Sequence, residues 1–233
     1  MSDLGELKSK LTFFVTGYTF AVGVLYEWGY WGRFNVNILQ FMTLTDVARS
    51  FAYPFVTAIF FFVIGAVLAS GDSKVFPEGG GRYTQVGIVL NRWIGPLLMV
   101  YFAFAMAAWW LGGLMRWMIP AGMLVPVLGA MVSRYELLHG VISDPSLRRF
   151  ISFVGVGMPV LAFAYGATQA EEVLAGFLFD QAKLPNDETT YKYLGHAGEY
   201  VFLLTADNRT VHLRKASDTL PLQLTRTSKL TGK

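Results

Sequence analysis

The sequence predicts a polytopic α-helical membrane protein, with about five transmembrane helices and a small C-terminal β-rich module. Three observations predict it. Five stretches, near residues 11–30, 51–71, 93–115, 117–133 and 150–170, are almost free of charge. A bilayer core about 30 Å thick takes about 20 apolar residues in a helix, and in lipid only helices and closed barrels satisfy their own backbone. The composition is 54% hydrophobic and 15% charged, with a mean hydropathy of +0.44. Beyond residue 180 the long apolar runs give way to short alternating ones. The organisation read from this is a helical membrane domain over residues 1–180 and a β-meander module over residues 186–226.

In the first span, Lys8 and Lys10 precede an apolar run over residues 11–25. A cleaved signal peptide would continue with small residues. Tyr26-Glu27-Trp28 follow instead, so the segment reads as an uncleaved span. It ends in an aromatic knot of Tyr26, Trp28, Tyr30 and Trp31. Such rings favour the headgroup boundary, which sets Glu27 near the headgroups. Residues 34–45 interleave Asn35, Asn37 and Gln40 with Val36, Ile38, Leu39 and Phe41. That mixture is too apolar for a free loop and too polar for a span, and it reads as an interfacial or re-entrant segment. Thr43 or Thr45 can then cap a second spanning helix, with Asp46 in its first turn against the helix dipole.

Residues 71–92 read as a loop, on Gly71-Asp72-Ser73, Pro77 and Gly79-Gly80-Gly81. Only about six residues, 112–117, part the third and fourth spans, which predicts an antiparallel hairpin with Trp109, Trp110 and Trp117 at its interface. Residues 134–149 form a second loop before the fifth span. Gly122, Gly129, Gly155, Gly157, Ala162 and Gly166 in the last two spans offer close helix contact.

Four strands are expected in the tail, at 191–195, 199–205, 210–214 and 220–224, punctuated by Gly198, Ala206-Asp207-Asn208 and Pro221. Tyr200, Phe202 and Leu204 alternate with Val201 and Leu203. The first set is expected to pack within the module, and the second against a partner chain or the helical domain. A meander this small is marginal by itself.

With five spans and a cytoplasmic N-terminus, the inner loops hold Lys8, Lys10, Lys74, Arg82, Arg92, Arg134, Arg148 and Arg149. The outer short loops hold only Arg33, Arg49 and Arg116. That asymmetry is what orientation by basic loops requires. It predicts a multi-pass protein of the cell (inner) membrane with the C-terminal module outside. The net charge of +3 points to no nucleic-acid partner, because no basic run exceeds two residues. The chain has no cysteine, so disulfides, thiolate nucleophiles and Cys-held metals are excluded.

One polar constellation stands out: Glu27, Arg33, Asn35, Asn37, Asp46 and Arg49, all near one predicted interface. Asp46 and Arg49 sit at i, i+3 and can pair, and Glu27 would seek Arg33 or Arg49. The functional reading is an ion or headgroup site, or a ring of carboxylates around a pore mouth. The structural reading is a network fixing the first span against the second. Glu136 and His139 have the i, i+3 spacing of carboxylate-bridged metal sites, but those need two such pairs and further Glu. They remain an acid–base pair of lower rank, and no cofactor or metal is expected. Asn208-Arg209-Thr210 matches a glycosylation sequon, a pattern short enough to arise by chance.

No nucleophile elbow, HExxH or dinucleotide fingerprint occurs. The expectation is therefore a non-enzymatic integral membrane protein whose partners are the lipid bilayer and other copies of itself, in one form around a pore. An accessory subunit held by partner membrane subunits is the alternative. A third reading is a membrane enzyme acting on lipid, with Glu27 and Asp46 or Glu136 and His139 as its acid–base groups.

Overall fold

A mostly apolar, proline-free run continues from Leu11 and forms helix α1, Ser2–Trp31. The structure, a computed structural model, describes residues 2–52, 55, 85–133, 135, 140, 142, 144–184, 189–219 and 222–228. Most of the predicted second span, the loop up to residue 84, and both Glu136 and His139 lie outside the described residues. The chain forms two compact units: Met1–Pro54 with Leu161–Lys233, and Phe55–Val160.

In the second of these units, α3 (Gln85–Leu111) and α4 (Met118–Ser133) are joined by a 3-10 turn, Gly113–Met115. The Tyr101 hydroxyl donates to the Met123 carbonyl, and the Trp109 ring meets Trp117 edge-on at 6.5 Å. The pair is therefore an antiparallel hairpin. Asp144 caps α5 (Pro145–Leu174) by accepting the Leu147 N–H at 3.0 Å, with Pro145 in the first helical position, where its missing N–H costs nothing. The helix therefore starts within the loop expected over residues 134–149. Arg148 donates to the Ser133 and Ile142 carbonyls at 3.1 Å each and so serves the end of α4. Among the described residues, Gly113–Ser133 and Phe150–Leu174 are long and apolar enough to cross a membrane, while Gly95–Leu111 is apolar but shorter.

The first unit joins α1, the beginning of α2 (residues 44–52), the end of α5 and a five-stranded antiparallel sheet. The strands are β1 (Leu178–Lys183), β2 (Thr190–Ala197), β3 (Tyr200–Leu204), β4 (Val211–Lys215) and β5 (Gln223–Ser228). Their spatial order is β4-β3-β2-β1-β5. Two features depart from the sequence reading. The sheet begins at Leu178, upstream of the four strands expected from the sequence. The last strand also does not continue the meander, because it returns across the sheet to pair with β1. β1 was overlooked because Leu178-Phe179-Asp180-Gln181 follows a helix directly, with only a turn at Gly176 (φ +66°) between them.

That return explains a reversal of faces. Val201 and Leu203 were expected to meet a partner, yet they are buried within the module with Ala182 and Tyr191. The β4–β5 connection covers them with Ala216 and Leu222, and Thr219 is also buried. Phe202 and Leu204 instead face the helices, in a core with Trp31, Phe34, Ile38, Ala170, Val173, Leu194 and Ala197. The apolar residues of segment 34–45 belong to this core: Phe34 and Ile38 are buried in it, and Val36, Phe41 and Met42 pack against it. Their apolarity follows from docking on the sheet. The aromatic knot is largely core too, since Tyr26 and Trp31 are buried and only Trp28, 63% exposed, points outward.

α1 and the end of α5 run side by side in the same direction. Tyr26 and Gly29 meet Tyr165, Gly166 and Phe163, and further along Trp31 meets Ala170 and Val173. At this crossing a Cβ on Gly29 would land on the Phe163 carbonyl oxygen, and one on Gly166 on the Tyr26 carbonyl oxygen. The C-terminus of α5 is held from the sheet. Lys192 donates to the Val173 carbonyl at 3.1 Å, and the Asn208 amide donates to the Leu174 carbonyl at 2.9 Å. The Asn208 bond satisfies a carbonyl at the helix end, the Val173 carbonyl also accepts the Gly176 N–H at 3.1 Å, and the Lys192 charge suits the negative end of the helix dipole. Asn208 sits at φ +60° in the β3–β4 loop, a conformation asparagine tolerates better than most residues.

Candidate functional site

A cavity of about 700 Å³ lies within the first unit, where the ends of α1 and α5, the start of α2, and strands β1, β2 and β5 come together. Of the six predicted site residues, Glu27, Asp46 and Arg49 line it, whereas Arg33, Asn35 and Asn37 do not.

Glu27 is 9% exposed, one turn before the end of α1. The Trp31 indole N–H donates to its Oε2 at 2.7 Å, and the Ser50 hydroxyl, on α2, lies against its Oε1. The same hydroxyl reaches the Asp46 carbonyl at 2.9 Å, and its single proton serves one of these acceptors at a time. The expected partner of Glu27 was Arg33 or Arg49, and the structure pairs it with neither. Arg33 forms an ion pair with Glu171 on α5. Arg49 is exposed and, among the described residues, makes no ion pair. The neutral donors Trp31 and Ser50 sit one helical turn and one helix away, so no rule of opposite charge pointed to them.

Asp46 does not pair with Arg49 either. It completes a reciprocal cap on α2: the Thr43 N–H and hydroxyl donate to its Oδ2 at 2.9 and 2.8 Å, and its own N–H donates to Thr43 Oγ1 at 3.3 Å. A third donor arrives from the sheet, the Gly198 N–H at 3.1 Å. Gly198 turns there at φ +55°, and a Cβ on it would come within 2.8 Å of the Phe41 carbonyl oxygen. One carboxylate thus holds both the start of a helix and a strand turn 152 residues away. Asn35 (φ +57°) ends the 3-10 turn Gly32–Phe34, and Asn37 precedes the next one, Ile38–Gln40. Both are turn residues.

Partial burial pushes the Asp46 carboxyl up, but the three hydrogen bonds and the nearby His196 outweigh it and leave it below the ordinary carboxylate range. A carboxyl whose folded value is depressed stabilises the fold above its unfolded value, near 3.9. That contribution fades as pH falls through the depressed value. The expected result is that thermal stability declines less steeply between about pH 5 and pH 2 in Asp46→Asn than in the parent protein. Parallel pH profiles for the two proteins would remove Asp46 from this role. The other titratable groups lining the same space are Tyr26, Glu27, Tyr30, Arg49, Glu172, Asp180, Tyr193, His196 and Arg226.

Sequence reasoning missed several charged or hydrogen-bonding contributors to the cavity wall, among them Ser50, Gln169, Glu172, Asp180, Tyr193 and Arg226. Glu171 and Glu172 are neighbours near the end of α5. They diverge because adjacent helical residues point about 100° apart, Glu171 to Arg33 and Glu172 to the cavity. Asp180 and Arg226 lie opposite each other across β1 and β5. The helical residue spacing was the available signal for the first, and none existed for the cross-strand pair once β1 was overlooked. Among the described residues, no group of three or more His, Cys, Asp or Glu is placed to hold a metal ion.

The arrangement is a helical protein carrying a five-stranded antiparallel sheet, with a polar and aromatic cavity where the two meet inside one unit. No family model, curated protein or solved structure matches the chain.

Proposed function

We propose that this chain is a non-enzymatic integral membrane protein that assembles with copies of itself through its helices, the sheet closing over the ends of α1 and α5. The observation that carries this reading is the apolar surface left open along the helices. Met99, Trp110 and Leu111 on or at the end of α3 are 76, 78 and 81% exposed, and Phe13 on α1 is 80% exposed. In water, a contiguous apolar surface beyond a few hundred Å² is unusual for a monomer. Lipid and neighbouring helices cover it in this reading. A pore on the symmetry axis is one form such an assembly takes.

The shared direction of α1 and the end of α5 supports an odd number of crossings between them, as a five-span chain has. α1 is about 45 Å long at 1.5 Å per residue, enough to cross. Because the native chain has no cysteine, single cysteines read the topology directly. In intact cells, cysteines at Gly32 and Ala206 are expected to react alike with an impermeant thiol reagent, and one at Ser9 to be protected. Equal labelling at Ser9 and Ala206 would show that α1 does not cross. After extraction in mild detergent, a symmetric homo-oligomer is the expected mass. A monomer that brings other chains with it would instead identify an accessory subunit. Full recovery without detergent would overturn the membrane reading.

A further inference from the structure

The cavity in the first unit is lined by charges that have not been used. The Glu172 carboxylate is half-buried, and among the described residues it accepts no hydrogen bond and forms no ion pair. Asp180, also half-buried, is in the same condition. Arg49 and Arg226 line the same space while remaining exposed, which sets them at its mouth, and neither is paired. Asp180 and Arg226 are direct cross-strand neighbours and still form no ion pair. Glu27 and Asp46 differ, because each already accepts two or more hydrogen bonds.

Carboxylates partly withdrawn from water call for partners, and the exposed guanidiniums at the mouth remain open to a ligand. A simple cation in this cavity would answer the two carboxylates and leave the guanidiniums beside an added positive charge. A simple anion would do the reverse. A ligand carrying both signs a few bonds apart answers all four. Guanidinium suits an oxyanion, through its planar fork of donors, and carboxylates suit an ammonium with N–H groups to give. The volume falls within the usual range for small-ligand sites, and Met42 and Leu178 supply apolar wall beside the charges.

We propose that this cavity holds a zwitterionic headgroup of the phosphate–ammonium kind, with Arg49 and Arg226 on the phosphate and Glu172 and Asp180 on the ammonium. A phospholipid with an ethanolamine headgroup is one source, and a free phosphate–amine zwitterion is the other. The lipid source rests on the membrane reading above, and the free source does not. The apolar wall favours the lipid, because it gives the first carbons beyond the headgroup a surface to lie on.

The test uses the full chain purified in mild detergent. Native mass spectrometry after exposure to an equimolar mixture of phosphatidylethanolamine and phosphatidylglycerol reads the lipid source. Thermal unfolding with millimolar O-phosphoethanolamine reads the free source. The parent protein is expected to retain the ethanolamine lipid at least fivefold over the glycerol lipid, and Arg49→Gln and Glu172→Gln should each bring that ratio close to one. Both variants should unfold at the parent temperature without ligand, which separates lost binding from lost folding. A rise in unfolding temperature with O-phosphoethanolamine, absent in both variants, assigns the free zwitterion if the lipids are retained equally. Preference for the anionic lipid, or no selectivity together with no thermal response, overturns the proposal. A protein that inserts and assembles but shows neither response sinks this inference alone. One recovered without detergent sinks the membrane reading and leaves the O-phosphoethanolamine arm standing.

Discussion

Gly166→Ala is expected to destabilise the first unit by about 3 kcal/mol, the upper end of what overpacking costs. The added methyl would meet the Tyr26 carbonyl oxygen and lie 2.9 Å from the Tyr30 nitrogen. Both are backbone atoms of α1, so no side chain can swing aside. The helices must part instead, which opens the contact lined by Ala162, Ala167 and Ala170, all 0% exposed. Gly29→Ala should do the same from the other side, against the Phe163 carbonyl and the Ala167 nitrogen. Gly122→Ala and Gly155→Ala are controls of opposite sign. Nothing lies within 4 Å of a Cβ at either position, and alanine is about 1 kcal/mol better than glycine inside a helix. Thermal unfolding of the four variants in one detergent decides it, and equal midpoints for Gly166→Ala and the parent would mean the helices do not cross this closely.

The second large effect is expected at Glu27. Glu27→Ala leaves the buried Trp31 N–H without its acceptor, at a cost of about 1–3 kcal/mol. Glu27→Gln keeps an oxygen for Trp31 and should cost less. The informative measurement is a pair of double-mutant cycles. Glu27→Gln with Ser50→Ala should be non-additive by at least about 0.5 kcal/mol, because one hydroxyl joins the two residues. Glu27→Gln with Arg49→Gln should add within about 0.5 kcal/mol, since no ion pair connects them. Coupling at Arg49 and none at Ser50 would restore the ion pair that the sequence suggested.

The contrast between those two cycles marks where sequence reasoning stops. Local chemistry was legible: Thr43 and Asp46 read as a helix start, and they form the reciprocal cap, because capping depends on residues three apart. The alternation through Tyr200–Leu204 was legible as a strand for the same reason, its period being local. Which face of that strand points inward was not, because the answer lies in Ala216 and Leu222, brought over it by a strand that skips three neighbours. Tyr26 and Trp31 are ambiguous for a related reason. An amphipathic ring suits a lipid headgroup boundary and a helix–sheet core equally well, and only the partner tells them apart. Glu27, Asp46 and Arg49, singled out by their clustering in the sequence, also line the cavity. Glu172, Asp180 and Arg226 were not singled out, because the fold gathers them from three separate elements.

The clasp on the end of α5 has a bearing on how the protein could be mapped in cells. Asn208 is the acceptor of the single sequon noted in the tail, yet its amide spans the Leu174 carbonyl on one side and the Lys192 ammonium, at 2.8 Å, on the other. A sugar could be attached only before that clasp closes. Whether the sequon is modified would therefore report a race between the transferase and the docking of the sheet, and an unmodified Asn208 would carry no information about the compartment the sheet occupies.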